Sequence, residues 1–212
     1  MKPWVTAVVL VAAVAAGTAA YLLRRAPAPE PAGPFAEAAP SQLAERLPEF
    51  RLADREGTPR SLADWPDKAL IVNFWATWCA PCRREIPLLQ KLQREHAAEG
   101  FQVIGVAVDF RDKVLAYADE MKIDYPLLIG EQEALDAASA FGIEAVGLPF
   151  TVFSDRRGRI VTAHLGELTE AEAALILDAV RKVDAGQQSP LEARQALELA
   201  LDALPEPPAE SE

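Results

Sequence analysis

The spacing of apolar positions changes character along this chain. Positions 4–23 hold no charged residue, and they are apolar on every side rather than along one stripe. A run of 20 is about the length that spans a bilayer as a helix. Lys2 precedes it and Arg24-Arg25 closes it. The run predicts an uncleaved membrane anchor over residues 1–25 in preference to a signal peptide. A signal peptide's apolar region is usually about 7–15 residues long, and a cut after Ala26-Pro27-Ala28 would put Pro29 directly behind it. Charge leaves the orientation nearly balanced, with Lys2 and the amino terminus on one side and two arginines on the other. Residues 26–44 read as a Pro/Ala-rich linker, an extended spacer carrying Pro27, Pro29, Pro31, Pro34 and Pro40.

From residue 50 onward, β-period and α-period segments alternate. Positions 50–52 and 60–62 flank Arg55-Glu56-Gly57 as short strands about a turn. Positions 69–75 form an unbroken, β-prone apolar run, the pattern of a buried central strand. Positions 83–98 place Ile86, Leu89 and Leu92 on one helical face. There follow a strand at 102–108, a helix at 114–121, a strand at 125–129, a helix at 134–141 and strands at 150–153 and 159–163. Thr169 and Glu172 have the spacing of a reciprocal helix cap. This βαβα order predicts an α/β domain over 45–186, a central sheet with helices on both faces. Residues 187–212 read as a C-terminal helix opened by Ser189-Pro190-Leu191-Glu192, then an acidic disordered tail from Pro205.

Composition removes several functions. Half the residues are apolar and a quarter charged, as in an ordinary soluble domain. The net charge is −11, and the first 25 residues hold three bases and no acid, so 18 bases face 32 acids in the remainder. A nucleic-acid partner needs the opposite sign. No Gly-x-Gly-x-x-Gly follows a strand, and no phosphate-binding loop ends in Lys-Ser or Lys-Thr.

The chemistry rests on Cys79 and Cys82, the only cysteines. Two are too few for a disulfide scaffold. A structural zinc site would need two further ligands nearby, and His96 and His164 are remote in sequence. What remains for a lone Cys-x-x-Cys behind a strand is redox work. Cys79 stands where a helix begins, so the helix's free amides favour its thiolate, the nucleophilic form. Cys82, three residues on, lies on the same side of the first turn and can resolve a mixed disulfide. Pro81 presets the backbone there.

The stretch Val72-Asn73-Phe74-Trp75-Ala76-Thr77-Trp78-Cys79-Ala80-Pro81-Cys82-Arg83-Arg84-Glu85-Ile86-Pro87 resembles the active-site segment of the TlpA/ResA-like thioredoxins. Gly147-Leu148-Pro149-Phe150-Thr151-Val152-Phe153 resembles their cis-proline strand, and the similarity covers about residues 45–183. The resemblance implies a thioredoxin-like fold with an extra strand–helix unit before the cis-proline strand. It implies that Pro149 is cis, and that the backbone of Leu148 pairs with a substrate chain like an added strand. Trp78 would belong to an apolar docking surface. Asn73 stands where plain thioredoxins carry a buried Asp; Asn cannot shuttle a proton, and Glu85 is the natural substitute, a proton acceptor for Cys82.

The same resemblance implies a bacterial inner-membrane protein whose domain faces the periplasm. Its partners would be protein substrates bearing disulfides or thiols and an upstream membrane thiol reductant. The expected activity is a protein-disulfide reductase acting on targets such as apocytochrome c or copper-site assembly factors, with no cofactor and no metal. A copper(I) chaperone of the Sco type is the alternative, because two thiolates suit Cu(I) and His164 could add a ligand; Sco proteins, however, space their cysteines one residue wider. A peroxiredoxin-like site fits less well: its Pro-x-x-x-Thr-x-x-Cys pattern is absent, Thr77 standing two residues before Cys79 rather than three.

Overall fold

A computed structural model describes residues 43–143 and 147–205. The expected anchor, nearly all of the linker and most of the acidic tail lie outside the described residues.

The fold is organised by β3 (Ala69–Trp75), whose seven residues are all buried. Its side chains alternate between two apolar layers, as the pleat requires. Ile71 and Trp75 enter one layer, and Leu70, Val72 and Phe74 enter the other. A strand covered on both faces has no polar side to show, which is why its sequence reads as a continuous apolar run. Asn73 is the one exception within it.

Around β3 the described residues form a seven-stranded mixed sheet. β4 (Phe101–Val108) runs parallel to β3, with Ala69 beside Phe101 and Trp75 beside Ala107. β5 (Leu127–Gly130) runs parallel to β4 on its outer side. β6 (Phe150–Ser154) is antiparallel to β3, with Asn73 opposite Thr151, and β7 (Ile160–Leu165) is antiparallel to β6. The short pair β1 (Leu52–Ala53) and β2 (Pro59–Arg60) extends the far edge beyond β5. The helices are α1 (Ala80–His96), α2 (Arg111–Glu120), α3 (Gln132–Ser139), α4 (Glu170–Asp184) and α5 (Pro190–Asp202). The unit β5–α3 is the strand–helix insertion expected ahead of Pro149, and the whole is a thioredoxin-like fold.

Some boundaries differ from the sequence reading for local reasons. The strands expected at 50–52 and 60–62 are two residues each and lie closer to the turn, at Leu52–Ala53 and Pro59–Arg60. Leu62 instead opens a 3-10 turn, Leu62–Asp64, that buries it in the core. The helix expected from 83 begins at Ala80, because Cys79 itself is the N-cap and Pro81 sits in the first turn. It gives way after His96 to a turn closed by Gly100, whose φ of 89° suits glycine.

α4 and α5 are both opened by complete capping boxes, Thr169 with Glu172 and Ser189 with Glu192. α5 lies against α4 and β7. Its Ala193 and Leu197 are buried in the same apolar layer as Ile71 and Trp75. Arg194 donates from Nε to the Val161 carbonyl at 3.2 Å. The core therefore continues through α5.

Candidate active site

β3 ends at Trp75, and the turn from Ala76 to Cys79 leads straight into α1. Cys79 is extended, with φ −84° and ψ 108°, the conformation of an N-cap. Its sulfur takes the place of the usual capping oxygen and accepts from the Cys82 amide at 3.2 Å. Cys79 and Cys82 form a disulfide with their Cα atoms 5.3 Å apart. Cys82 is fully buried and Cys79 nearly so, yet the neighbouring Trp78 is 67% exposed.

The other expected site residues gather at this end of the sheet. β6 faces β3 with Phe150 opposite Phe74, so Pro149 stands beside the point where β3 passes into the cysteine turn. Pro149 is buried and the Leu148–Pro149 peptide is cis. The pairing of β6 with β7 begins at Phe150, which leaves Leu148 beyond the last cross-strand pair. Phe110, after β4, and Leu165, at the end of β7, are about half exposed at the same end. With Trp78 they form an exposed apolar rim at the end of the sheet that carries the cysteine turn.

Glu85 is buried beneath the disulfide, not displayed on the helix surface. Its Oε1 accepts from the Asn73 amide at 2.7 Å, and its Oε2 from the Leu168 amide at 3.0 Å. Asn73 also donates to the Thr151 hydroxyl at 3.0 Å. Burial pushes the Glu85 carboxyl up to about 7, against the opposing pull of the Leu168 and Asn73 donors, with Glu167 adding to the rise. A group poised there can take a proton from Cys82, three residues earlier on the same helix, and return it near neutral pH. Asn73 and the Leu168 amide thus hold the Glu85 carboxyl in place. Tyr125, buried from the β5 side, has its phenol pushed up by burial first and by the Glu85 charge second.

Sequence reasoning missed Asp109, Thr151 and Leu168. Each reaches the site through strand register or a distant backbone amide, and no local spacing marks them. Asp109, at the end of β4, accepts from the Thr77 amide at 3.2 Å and from the Thr77 hydroxyl. Thr77 is therefore engaged by Asp109, away from the peroxidatic arrangement. His164, which copper binding would recruit, has its Nε2 3.3 Å from the Glu167 carbonyl and 3.8 Å from the Glu172 carboxylate. His96 sits with Glu99 and Arg181 at the other end of α1. Arg84 is bound to Glu167, while Arg83 is exposed. Among the described residues no group of three or more His, Cys, Asp or Glu is arranged to hold a metal ion.

A cleft of about 640 Å³ lies at the opposite end of β3, lined by Arg51, Trp65 and Gly158 among others, and it takes in neither cysteine.

A thioredoxin-like sheet with a disulfide capping its first long helix, beside a cis-proline, defines a class of redox domain. The signature of the AhpC/TSA family matches residues 43–163, and the chain belongs to that family. It is 34% identical over 143 residues to the thioredoxin-like protein YneN of Bacillus subtilis (strain 168), an alignment spanning 65% of this chain and 79% of that protein. It is 32% identical over 137 residues to the thiol-disulfide oxidoreductase ResA of Halalkalibacterium halodurans, covering 64% and 76% respectively. Among solved structures, a secreted thiol-disulfide isomerase from Corynebacterium glutamicum is similar with a TM-score of 0.55 and 30% identity, over 60% of this chain and 80% of that one. A thioredoxin-family thiol:disulfide interchange protein from Chlorobium tepidum TLS gives a TM-score of 0.52 and 28% identity, over 78% and 99%.

Proposed function

We propose that this protein is a thiol–disulfide oxidoreductase that reduces disulfides in extracytoplasmic proteins while held at the bacterial inner membrane by residues 4–23. The observation that carries the reading is the Cys79–Cys82 disulfide at the start of α1, with a buried carboxyl tuned to about 7 beneath it. The relatives named as thiol-disulfide oxidoreductases support it, and the uncharged run at 4–23 supports the tether.

In the reduced protein the Cys79 thiolate attacks one sulfur of a target disulfide. The target's S–S bond breaks, its second sulfur leaves as thiolate, and a mixed disulfide forms. Cys82 then gives its proton to Glu85 and attacks the Cys79 sulfur. The mixed disulfide breaks, the target leaves with both thiols reduced, and the Cys79–Cys82 disulfide re-forms. A membrane thiol reductant restores the dithiol by the same exchange run against this pair. The apolar rim of Trp78, Phe110 and Leu165 and the open backbone at Leu148 suit an extended target segment rather than a small molecule. Apocytochrome c and copper-site assembly factors are targets of this kind.

Equilibrating the protein against dithiol buffers tests the direction of electron flow. A reduction potential near that of thioredoxin, about −270 mV, is the expected result. A value near that of DsbA, about −120 mV, would make the protein an oxidant and overturn the reductase assignment. The absence of any intramolecular disulfide would overturn the redox assignment as a whole.

A further inference from the structure

The turn that presents Cys79 has little to hold it. Ala76 is buried but has only a methyl group, and Trp78 points into solvent. One backbone bond closes the turn, from the Cys79 amide to the Ala76 carbonyl at 3.2 Å. Beyond the apolar packing of Ala76 and Cys79, the link from Thr77 to Asp109 is the side-chain hydrogen bond that ties the turn to the end of β4. Asp109 is 7% exposed, and its carboxylate receives donors from two elements. Its Oδ2 takes the amide and hydroxyl of Thr77, and its Oδ1 takes the Phe110 amide at 2.8 Å, at the start of α2. Its own amide donates to the Gly130 carbonyl at 3.1 Å, so the residue is fixed against β5 as well. A short carboxylate on a strand end, bonded at both oxygens, is a rigid clamp.

In the oxidised protein the disulfide also ties Cys79 to α1. Reduction removes that tie, at the moment when Cys79 must stay over the helix amides to remain a thiolate. We infer that Asp109, acting through Thr77, is a positioning residue that keeps the reduced Cys79 at the N-cap of α1. This deepens the thiol–disulfide reading and rests on it. The clamp does not touch the reacting sulfur. It acts by alignment, and an ångström of misplacement is enough to cost a large part of a rate.

Alignment and charge make opposite predictions, which is what allows a test. Asp109 brings a negative charge to the neighbourhood of Cys79, so by charge alone its removal would lower the thiol's pKa. By alignment its removal raises that pKa, because the thiolate loses the helix amides. Thr77→Val removes the hydroxyl's bond and leaves the charge; Asp109→Ala removes both; Thr77→Ser restores the hydroxyl.

The experiment uses the full chain carrying Cys82→Ser, so that Cys79 titrates alone. Thiolate absorbance is followed against pH, and the rate of reaction with a small aromatic disulfide is measured at pH 7. Thr77→Val and Asp109→Ala are expected to raise the Cys79 pKa and slow the reaction about tenfold, with Thr77→Ser close to the parent. The inference is overturned if Thr77→Val leaves both quantities unchanged while Asp109→Ala lowers the pKa. It is equally overturned if the variants lose thermal stability with no change in pKa or rate. These readouts need no protein substrate, so they stand or fall separately from the reductase assignment, which the reduction potential decides.

Discussion

Glu85 carries a carboxyl where water scarcely reaches, and its stability cost has a sign that can be worked out. Its folded-state pKa, about 7, lies above the ordinary value of 4.5. Between those values the folded protein binds more protons than the unfolded one, so stability falls as pH rises. The Glu85 contribution is fully favourable below pH 4.5 and is lost by about pH 7, a difference on the order of 3 kcal/mol. Glu85→Gln, compared with the parent by denaturant unfolding of the oxidised protein at pH 5 and pH 8, is expected to lose that part of the pH dependence. In the reduced protein the same change should slow the attack of Cys82 on a trapped mixed disulfide, a step that rapid acid quenching resolves. The two cysteines were legible from their spacing and the strand before them, and the cis-proline from its surrounding motif. Glu85 was legible as a position but not as a buried one: its partners Asn73 and Leu168 lie 12 and 83 residues away. Asp109 was not legible at all, since its meaning comes from the parallel register that sets the end of β4 beside the turn after β3.

At the scale of elements, legibility followed burial. β3 reads correctly from sequence because both of its faces are covered, and seven β-prone apolar positions bounded by a turn fit little besides a buried strand. β1 and β2 were legible as a pair about a turn but not in their bounds: they are two-residue pairings at a sheet edge, too short for alternation to show. α5 was legible from its capping box, while its packing was not, because nothing in a helix's own sequence names the surface it meets. That packing has a measurable consequence. Leu197 is 4% exposed within the shared core, so Leu197→Ala is expected to destabilise the whole domain by roughly 2–4 kcal/mol. Thermal unfolding followed by circular dichroism would show one cooperative transition at lower temperature. Two transitions would mean that α5 unfolds on its own.

For the molecule as a whole, the acidic domain and the uncharged run at 4–23 predict different behaviour with and without that run. The full chain expressed in a bacterial host should sediment with membranes at full mass and resist alkaline extraction. A chain starting at residue 43 should remain in the soluble fraction with an unchanged disulfide. A shortened, freely soluble product from the full chain would identify the run as a cleaved leader.

The exposure of Trp78 also has an optical consequence. Three residues away in sequence, Trp75 lies in the dry interior. Of the chain's four tryptophans, Trp75 emits from an apolar medium and Trp78 from water, and both stand just ahead of Cys79 in the chain. With Trp4 and Trp65 replaced by Phe, iodide, which stays outside the fold, should quench the redder emission of Trp78 and leave the bluer emission of Trp75 intact. A partner that covers the rim would protect Trp78 from iodide, so the chain carries its own signal for docking, distinct from its signal for electron transfer.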